Sequence, residues 1–468
     1  MVVVARGILG LAWPILIGQL AVMAFAFIDT LLTGHATPAD LAAMGIGASV
    51  YASIFVSLTG VLNALTPIIG QHFGARRHTA VGASFVQGLW LALLLSAFGM
   101  PLLAFPRLWL GLVNPPADVL EIVAAYLRTL SLALPAALLF RALYALSTAV
   151  SRPKFVMGLQ LGGLVLKLAL SELLIFGELG LPRLGAVGAA VASLVAFWAM
   201  FSAGLFVVSR HASYRGFHIR LAWPSWPHVK EQLHLGIPMG FASGLENTSF
   251  TLMTLFIAQF GTSVLGGHQI VSNLTALAYQ LPLAVSIATA ALTAQALGAH
   301  DPRRARATAF TGVATCVGLA TLTAVSVWTL RESVVGLYTT DAAVAAVALS
   351  LIGYFAGLHV FDALQGATAA VLRAYRVAIV PMVIYALALW GPGLIGGYLV
   401  AFRPVLGEPR GVQGMWLMLL LALGLTATSL VAFYAWFLRR SVVDLADQNR
   451  GAAGGEVLEI VGGRAGLG

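Results

Sequence analysis

The chain has 468 residues, of which 60% are hydrophobic and 9% are charged, and its mean hydropathy is +0.93. Soluble domains carry roughly 25% charged residues, so this composition excludes a soluble globular protein and indicates an integral membrane protein. The net charge of +9 would suit a nucleic acid, but the basic residues fall in short loops between apolar segments. That distribution is typical of membrane topology, and we expect no nucleic-acid partner.

Apolar runs of about 20 residues recur along the chain, and each is long enough to cross about 30 Å of hydrocarbon as a helix. The hydropathy pattern predicts twelve spans, at residues 8–33, 46–72, 83–105, 119–148, 156–177, 186–209, 233–260, 265–298, 308–330, 343–371, 378–402 and 413–438. The predicted fold is therefore an all-α polytopic membrane protein with twelve transmembrane helices in two pseudo-symmetric six-helix bundles.

The basic residues divide unequally between the two sides of the predicted membrane. With the N-terminus inside, 16 basic residues lie in cytoplasmic segments and five lie outside: Arg107, Arg183, Arg331, Arg403 and Arg410. Basic loops stay in the cytoplasm, so both termini are expected there. The richness in Ala, Leu, Gly and Arg suggests a bacterial inner (cytoplasmic) membrane.

The two halves of the chain repeat each other. A shift of 224 positions aligns like residues: Leu11 with Leu235, Pro14 with Pro238, Gln71 with Gln295 and Gly74 with Gly298. Six spans per half give both halves the same orientation, as in parallel-repeat transporters, and a cleft is expected between them. The predicted units are an N-terminal lobe (7–209), a cytoplasmic linker (210–231), a C-terminal lobe (232–440) and a disordered cytoplasmic tail (441–468).

Three carboxylates are expected at membrane depth, namely Asp29, Glu246 and Asp362 in the first, seventh and tenth spans. An ionised carboxylate there costs roughly 2.5–3.5 kcal/mol, which makes each a candidate for function. The alternative for each is a structural ion pair or a hydrogen bond between helices. Lys167 in the fifth span could neutralise Asp29. His359 precedes Asp362 by three residues and could receive its proton, although a packed histidine is the commoner role.

The polar residues of the seventh span lie on one face. At 100° per residue, an arc of about 100° holds five side chains: Ser243, Glu246, Asn247, Phe250 and Thr254. This stripe is expected to face an aqueous cleft or a partner helix.

Enzyme signatures are missing from the sequence, which has no HExxH, no GxSxG and no Walker lysine. We expect no enzyme activity and no cofactor. Without an ATP-binding motif, uphill transport would draw on an ion gradient. A buried carboxylate can carry a proton, and a carboxylate pair flanked by hydroxyl and amide oxygens can coordinate Na+. The coupling ion therefore stays open between Na+ and H+.

Five stretches carry a family resemblance: "LAWPILIGQL", "LGIPMGFASGLENTSF", "GGHQI", "QALGAHD" and "FDALQGATAAVLRA". Together with the two six-span halves, they resemble the MATE family of multidrug and toxin extruders, and specifically its NorM branch, over residues 7–440. The resemblance implies a V-shaped pair of bundles that alternates between inward and outward states. It implies export of amphipathic organic cations in exchange for Na+ or H+.

The resemblance also implies residue roles. Glu246 and Asp362 would form a cation site in the C-terminal lobe that serves both the coupling ion, Na+ included, and the cationic substrate. Phe250 and Tyr279 would hold the apolar body of the substrate and add cation-π attraction, with Asn247 beside them. Asp29 would tune conformation or relay protons.

The fifth span departs from the family pattern, which leads us to expect asparagine at the position of Lys167. A lysine brings a positive charge that could form a salt bridge with Asp29 and replace a bound Na+. Our hypothesis is that the N-terminal lobe is locked electrostatically while the C-terminal pair carries coupling.

Other functions remain open from the sequence. A lipid-linked saccharide flippase with a similar repeat would need a basic cleft, and Arg128, Arg141 and Lys167 do not obviously cluster. A membrane-embedded enzyme would need a catalytic constellation, and a passive channel would show no counterflow. The expected partners are cationic drugs or dyes, a monovalent cation or proton, and the lipid bilayer, with the protein as a monomer.

Overall fold

The computed structural model describes residues 2–106, 117–405 and 407–462, and it describes no side chains at 117–118 or from 441 onward. Twelve long helical segments follow one another: α1 Val2–Gly34, α2 Pro38–Gly74, α3 His78–Ala104, α4 Ala117–Ala149, α5 Pro153–Phe176, α6 Ala186–Arg210, α7 Trp226–Ile257, α8 Thr262–Gly298, α9 Pro302–Thr329, α10 Ala342–Ala374, α11 Ile379–Phe402 and α12 Gly411–Gly462. This part of the chain contains no strand, and the predicted all-α polytopic membrane fold is confirmed.

Eleven helices in the described ranges are long and apolar enough to cross a membrane, and α7 is not among them. Its 32 residues would still reach about 48 Å at 1.5 Å per residue. The difference from the predicted twelve spans has a physical reason, because α7 carries Glu246, Asn247 and several hydroxyl groups that lower its hydropathy. Helix α7, whose hydropathy is too low for a membrane span by composition alone, is thus the helix that carries the polar stripe.

Two boundaries differ from the sequence prediction. Helix α7 begins at Trp226, inside the linker predicted for 210–231. The backbone of α12 stays helical to Gly462, whereas the sequence predicted a disordered tail from residue 441. Residues 441–462 mix helix formers such as Leu, Ala, Glu and Gln with four glycines, and their sequence has no apolar periodicity that predicts a helix. The last predicted residues, 463–468, lie outside the described part of the chain.

Each half of the chain packs around its own apolar core. The core of α1–α6, here called the N-lobe, includes Phe85, Leu91 and Leu143. The core of α7–α12, the C-lobe, includes Phe355 and Leu389. Each half therefore has a core of its own, apart from the contacts between the halves.

Two related helix pairs form much of the contact between the lobes. Helix α1 packs on α8 through Ile8, Ile15 and Val285. Helix α2 packs on α7, where Gly236 and Gly240 come so close to α2 that a Cβ on either would clash with its backbone carbonyl groups. Small residues at such spacing let membrane helices approach closely.

One end of the inter-lobe space is closed by a symmetric contact. Gln71 Nε2 donates to the carbonyl oxygen of Ala374 at 2.9 Å, and Gln295 Nε2 donates to that of Ala149 at 2.7 Å. The two glutamines are related by the 224-residue shift. Each reaches the last residue of a long helix in the opposite half, so the pair ties α2 to α10 and α8 to α4. The same end holds Gly74, where an added Cβ would overlap the Gln295 carbonyl oxygen.

Gly298 offers a test of this closure, because an added Cβ would overlap the carbonyl oxygen of Gln71. Overpacking of this kind costs about 1–3 kcal/mol. In Gly298→Ala this cost would destabilise the closed arrangement and leave the open one unaffected. We expect a cysteine at Ala149, in a Cys316→Ser background, to react severalfold faster with an impermeant maleimide when Gly298→Ala is present. Gly318→Ala is the control, since no atom lies within 4 Å of its Cβ position. Equal labelling in both variants would contradict the closure.

Candidate functional site

A cavity of about 560 Å³ lies among α7, α8, α10, α11 and α12, with α2 of the other lobe also lining it. We call it the carboxylate cavity, because both Glu246 and Asp362 line it. Its walls also include the other residues predicted for substrate binding: Asn247, Phe250 and Tyr279. Thus five residues chosen on three different helices from sequence alone lie around one space. The volume suits a drug-sized ligand, for which pockets of about 300–1,000 Å³ are usual.

Asp362 is held by a short chain of side-chain hydrogen bonds. Its side chain is largely buried, and Gln365 Nε2 donates to its Oδ1 at 2.8 Å. Tyr385 on α11 in turn donates its hydroxyl to Gln365 Oε1. The tyrosine acts on one end of the glutamine amide and therefore fixes which end faces the carboxylate. Asp362 is thus oriented by two residues that the sequence reasoning did not select.

Glu246 is partly buried on the polar face of α7. The backbone beside it is tied to the opposite wall, since Trp390 Nε1 donates to the Leu245 carbonyl oxygen at 3.2 Å. Trp390 lies in a π-helical stretch of α11, Leu389–Gly396, which contains Pro392 and three glycines. Proline removes a backbone donor and glycine permits tighter packing, so this stretch bends out of regular helix. The polar stripe of α7 is positioned by an irregular neighbour.

His268 belongs to the cavity wall and was not predicted as a site residue, although it lies within the quoted "GGHQI" stretch. Trp416 Nε1 donates to His268 Nδ1 at 3.2 Å, and this fixes Nδ1 as an acceptor. A neutral ring then carries its proton on Nε2 and donates to Thr254 Oγ1 at 3.0 Å. Thr254 Oγ1 donates to the Phe250 carbonyl oxygen at 3.1 Å. This chain connects α12 to the polar face of α7.

Asp29 and Lys167 form a salt bridge in the N-lobe. Lys167 Nζ lies 2.8 Å from Asp29 Oδ1, with the side chains 0% and 9% exposed. The ammonium also donates to Ser193 Oγ at 2.5 Å and lies 5.5 Å from the ring centroid of Phe25. The pairing that the sequence suggested is present. Neither partner lines the carboxylate cavity.

His359 lies in the C-lobe core. Its side chain is fully buried and stacks on Phe355 with ring centroids 5.5 Å apart. Neither ring nitrogen has a hydrogen-bond partner among the described residues. The ring does not line the carboxylate cavity, so its geometry is that of a packed histidine rather than of a direct partner for Asp362.

A second cavity, of about 370 Å³, lies beside the first and is lined by both halves. We call it the arginine cavity, because Arg141 and Arg373 line it and none of its described lining residues is Asp or Glu. The two cavities share four wall residues: Val56, Asn63, Leu283 and Arg373. The inter-lobe space therefore has an acidic compartment and a basic compartment in contact with each other.

The comparisons with known proteins decide the family. The MatE family model matches residues 14–173 and 238–399, which is more than half of the chain. The chain belongs to the MATE family. The two matched segments begin 224 residues apart, one in each half of the chain. As the sequence predicted, the NorM branch is the relevant one.

The curated relatives carry transporter names. The chain is 41% identical to the "Probable multidrug resistance protein NorM" of Aromatoleum aromaticum, with 92% of each chain covered. It is 34% identical to the "Multidrug resistance protein PmpM" of Pseudomonas aeruginosa, with 88% of this chain and 87% of that one covered. This MATE protein is accordingly a multidrug efflux transporter and not an enzyme.

Solved structures show the same fold. The crystal structure of the eukaryotic MATE transporter AtDTX14 is similar with a TM-score of 0.85 and 19% identity, over 93% of this chain and 96% of that one. An outward-facing structure of a multidrug resistance MATE family transporter of the MOP superfamily is similar with a TM-score of 0.82 and 17% identity. The match covers 94% of this chain and 96% of that one. At these identities the likeness supports the architecture alone.

The Asp29–Lys167 pair predicts a specific pattern of stability. Removing one partner strands the other charge, so Asp29→Asn or Lys167→Met should each lower the free energy of unfolding by about 3–5 kcal/mol. The double variant should recover most of that loss because no unpaired charge remains. Tryptophan fluorescence during unfolding in mixed detergent micelles measures all four proteins. A double variant that loses the sum of the two single losses would show that the pair is not coupled.

Proposed function

We propose that this MATE protein exports amphipathic organic cations in exchange for Na+ or H+, with Glu246 and Asp362 as the site that substrate and coupling ion share. The observation that carries the proposal is that two carboxylates from different helices line one drug-sized cavity together with Phe250 and Tyr279. Carboxylates attract the charge of the substrate, and aromatic rings hold its apolar body. Two cations that compete for one charged site exchange for each other, which is antiport.

The lining of the carboxylate cavity is compatible with either coupling ion. Residues with hydroxyl or amide oxygens line the same cavity as the carboxylates: Ser243, Asn247, Thr251, Thr254, Ser272 and Thr275. Hard oxygen ligands of this kind suit Na+. A carboxyl group also takes up a proton, and protonation would remove the charge that holds a cationic drug. We therefore place both ions on the same pair and leave the choice to the transport experiment.

Alternating access would use the closed end of the inter-lobe space. With the basic loops and both termini in the cytoplasm, the glutamine contacts from Gln71 and Gln295 lie at the cytoplasmic end. Binding of the coupling ion would favour one side of the equilibrium, and binding of the drug the other. We place the transporter as a monomer in the bacterial inner membrane, with no cofactor.

The deciding experiment is efflux of ethidium from proteoliposomes with a Na+ gradient or a pH gradient imposed separately. We expect one gradient to drive efflux. Glu246→Gln and Asp362→Asn should each bring gradient-driven efflux down to that of protein-free vesicles, because each removes a charge shared by ion and drug. The matched control is Glu172→Gln, which removes an exposed carboxylate on α5 outside the cavity.

Two results would count against antiport. Efflux in Glu246→Gln equal to that of the control would remove the glutamate from the coupling site. Dye flux that never exceeds equilibration, with no counterflow when unlabelled ethidium is added, would indicate a passive channel.

Lys167→Asn separates the two lobes in the same assay. We propose that the lysine ammonium occupies the place of an ion beside Asp29, so the N-lobe carries no exchangeable ion. Asparagine would free Asp29 and supply an amide oxygen, and the Na+ dependence of efflux should then increase. Lys167→Met is the control, since it removes the charge without adding an oxygen ligand. If Lys167→Asn leaves both the rate of efflux and its ion dependence unchanged, the hypothesis that Lys167 replaces an ion in the N-lobe is wrong.

A further inference from the structure

The proposed cation exchange does not use the arginine cavity, yet this cavity shares wall residues with the carboxylate cavity. Arg141 lies on α4 and donates two hydrogen bonds to a single neutral acceptor, Asn63 Oδ1, at 2.6 Å from Nη2 and 3.2 Å from Nε. Its guanidinium also lies 4.4 Å from the ring centroid of Tyr144. A guanidinium has five N–H donors, so this arrangement leaves donors for a ligand.

Neither arginine of this cavity forms a salt bridge with a described residue, although Arg373 lies close enough to Glu246 for their charges to attract. Within the described ranges, no carboxylate oxygen lies within 4.0 Å of Arg141 or Arg373, although two salt bridges form elsewhere in the protein. Arg373 has no side-chain hydrogen bond to another described residue and lines both cavities. Positive charge at membrane depth is costly, and proteins normally offset it with a partner or a water-filled cavity. Arg141 has the Asn63 amide, the Tyr144 ring and the cavity as its surroundings, and Arg373 faces both cavities.

The pseudo-symmetry of the chain places opposite charges at equivalent positions. A shift of 221 residues brings Arg141 onto Asp362 and Tyr144 onto Gln365. Each charged residue contacts the residue three positions later on its own helix, Arg141 through the Tyr144 ring and Asp362 through the Gln365 amide. The two halves thus present a cation and an anion from matching places on either side of the shared walls.

We propose that the arginine cavity is a subsite for the carboxylate of zwitterionic substrates, whose cationic end binds at Glu246 and Asp362. The proposal rests on the proposed function, since it assigns the second charge of a molecule that the carboxylate cavity already holds. Arg141 would bind the substrate carboxylate through its remaining N–H groups, with Asn63 holding the guanidinium in place. A charge-assisted bond from arginine to carboxylate is stronger than a neutral one and has a defined direction.

A pair of dyes that differ in one group tests the subsite. The probes are a rhodamine with a free benzoate and its methyl ester, which share the xanthylium cation. Binding to the purified full-length protein is followed by quenching of tryptophan fluorescence. We expect Arg141→Gln to weaken binding of the benzoate dye about tenfold, as loss of a charged hydrogen bond does, and to change binding of the ester less than about twofold. Arg141→Lys should restore part of the selectivity, because it restores charge but not the planar fork.

Two variants make the comparison specific. Arg128→Gln removes an exposed arginine from the same helix, outside the cavity, and should change neither dye. Arg373→Gln also removes a positive charge from the cavity, so the subsite can still be tested if Arg141→Gln does not fold. This variant should also weaken binding of the benzoate dye more than binding of the ester.

A larger loss of affinity for the benzoate dye than for the ester supports the subsite, and an equal loss for both dyes overturns it. If Arg141→Gln and Arg373→Gln weaken the binding of both dyes to the same degree, or do not change the binding of either dye, the cavity does not recognise the carboxylate. Neither result contradicts the proposed antiport, which depends on the separate measurement of gradient-driven efflux. Conversely, selective loss of benzoate binding in a protein that no ion gradient drives would support the subsite and overturn the antiport.

Discussion

Uncompensated charge in a membrane is the constraint on which the structure depends. Hydrocarbon offers no water to an ionised side chain, so each embedded charge needs a partner, a polar shell or a cavity. This transporter uses all three. Asp29 and Lys167 neutralise each other at 2.8 Å, Arg141 has an amide and an aromatic ring, and Glu246 and Asp362 face a cavity. Only the last arrangement leaves negative charge available to a mobile cation.

The distribution of these solutions makes the two lobes unequal. The backbone follows the repeat closely, as the paired contacts of Gln71 and Gln295 show. The charges do not follow it, because Arg141 occupies the position equivalent to Asp362. The repeat thus gives the two halves similar contacts at this end, while the charges that line the carboxylate cavity belong to the C-lobe. In the proposed antiport, the similar contacts would serve the motion of the lobes and the unequal charges would serve cation binding.

Sequence reasoning found the main carboxylates because apolar segments make a charge conspicuous. Glu246, Asp362, Phe250 and Tyr279 meet in one cavity, as expected from helical periodicity and the family resemblance. The pattern could not reveal which neutral residues orient them. Gln365, Tyr385 and His268 look unremarkable in sequence, and their roles depend on inter-helix contacts that periodicity does not encode. The same limit hid the arginine cavity, since Arg141 was considered only together with Arg128 and Lys167.

The hydrogen-bond chain through Trp416, His268 and Thr254 shows how such a site can stay both polar and rigid. Each buried polar group in the chain has a partner, so the wall of the carboxylate cavity does not depend on the ligand for its order. The two carboxylates differ in this respect, because Asp362 is oriented by Gln365 whereas Glu246 is more open on the polar face of α7. A fixed carboxylate and a freer one can accommodate ligands of different size. That difference fits the proposed antiport, in which one site would hold a small ion and a large organic cation in turn.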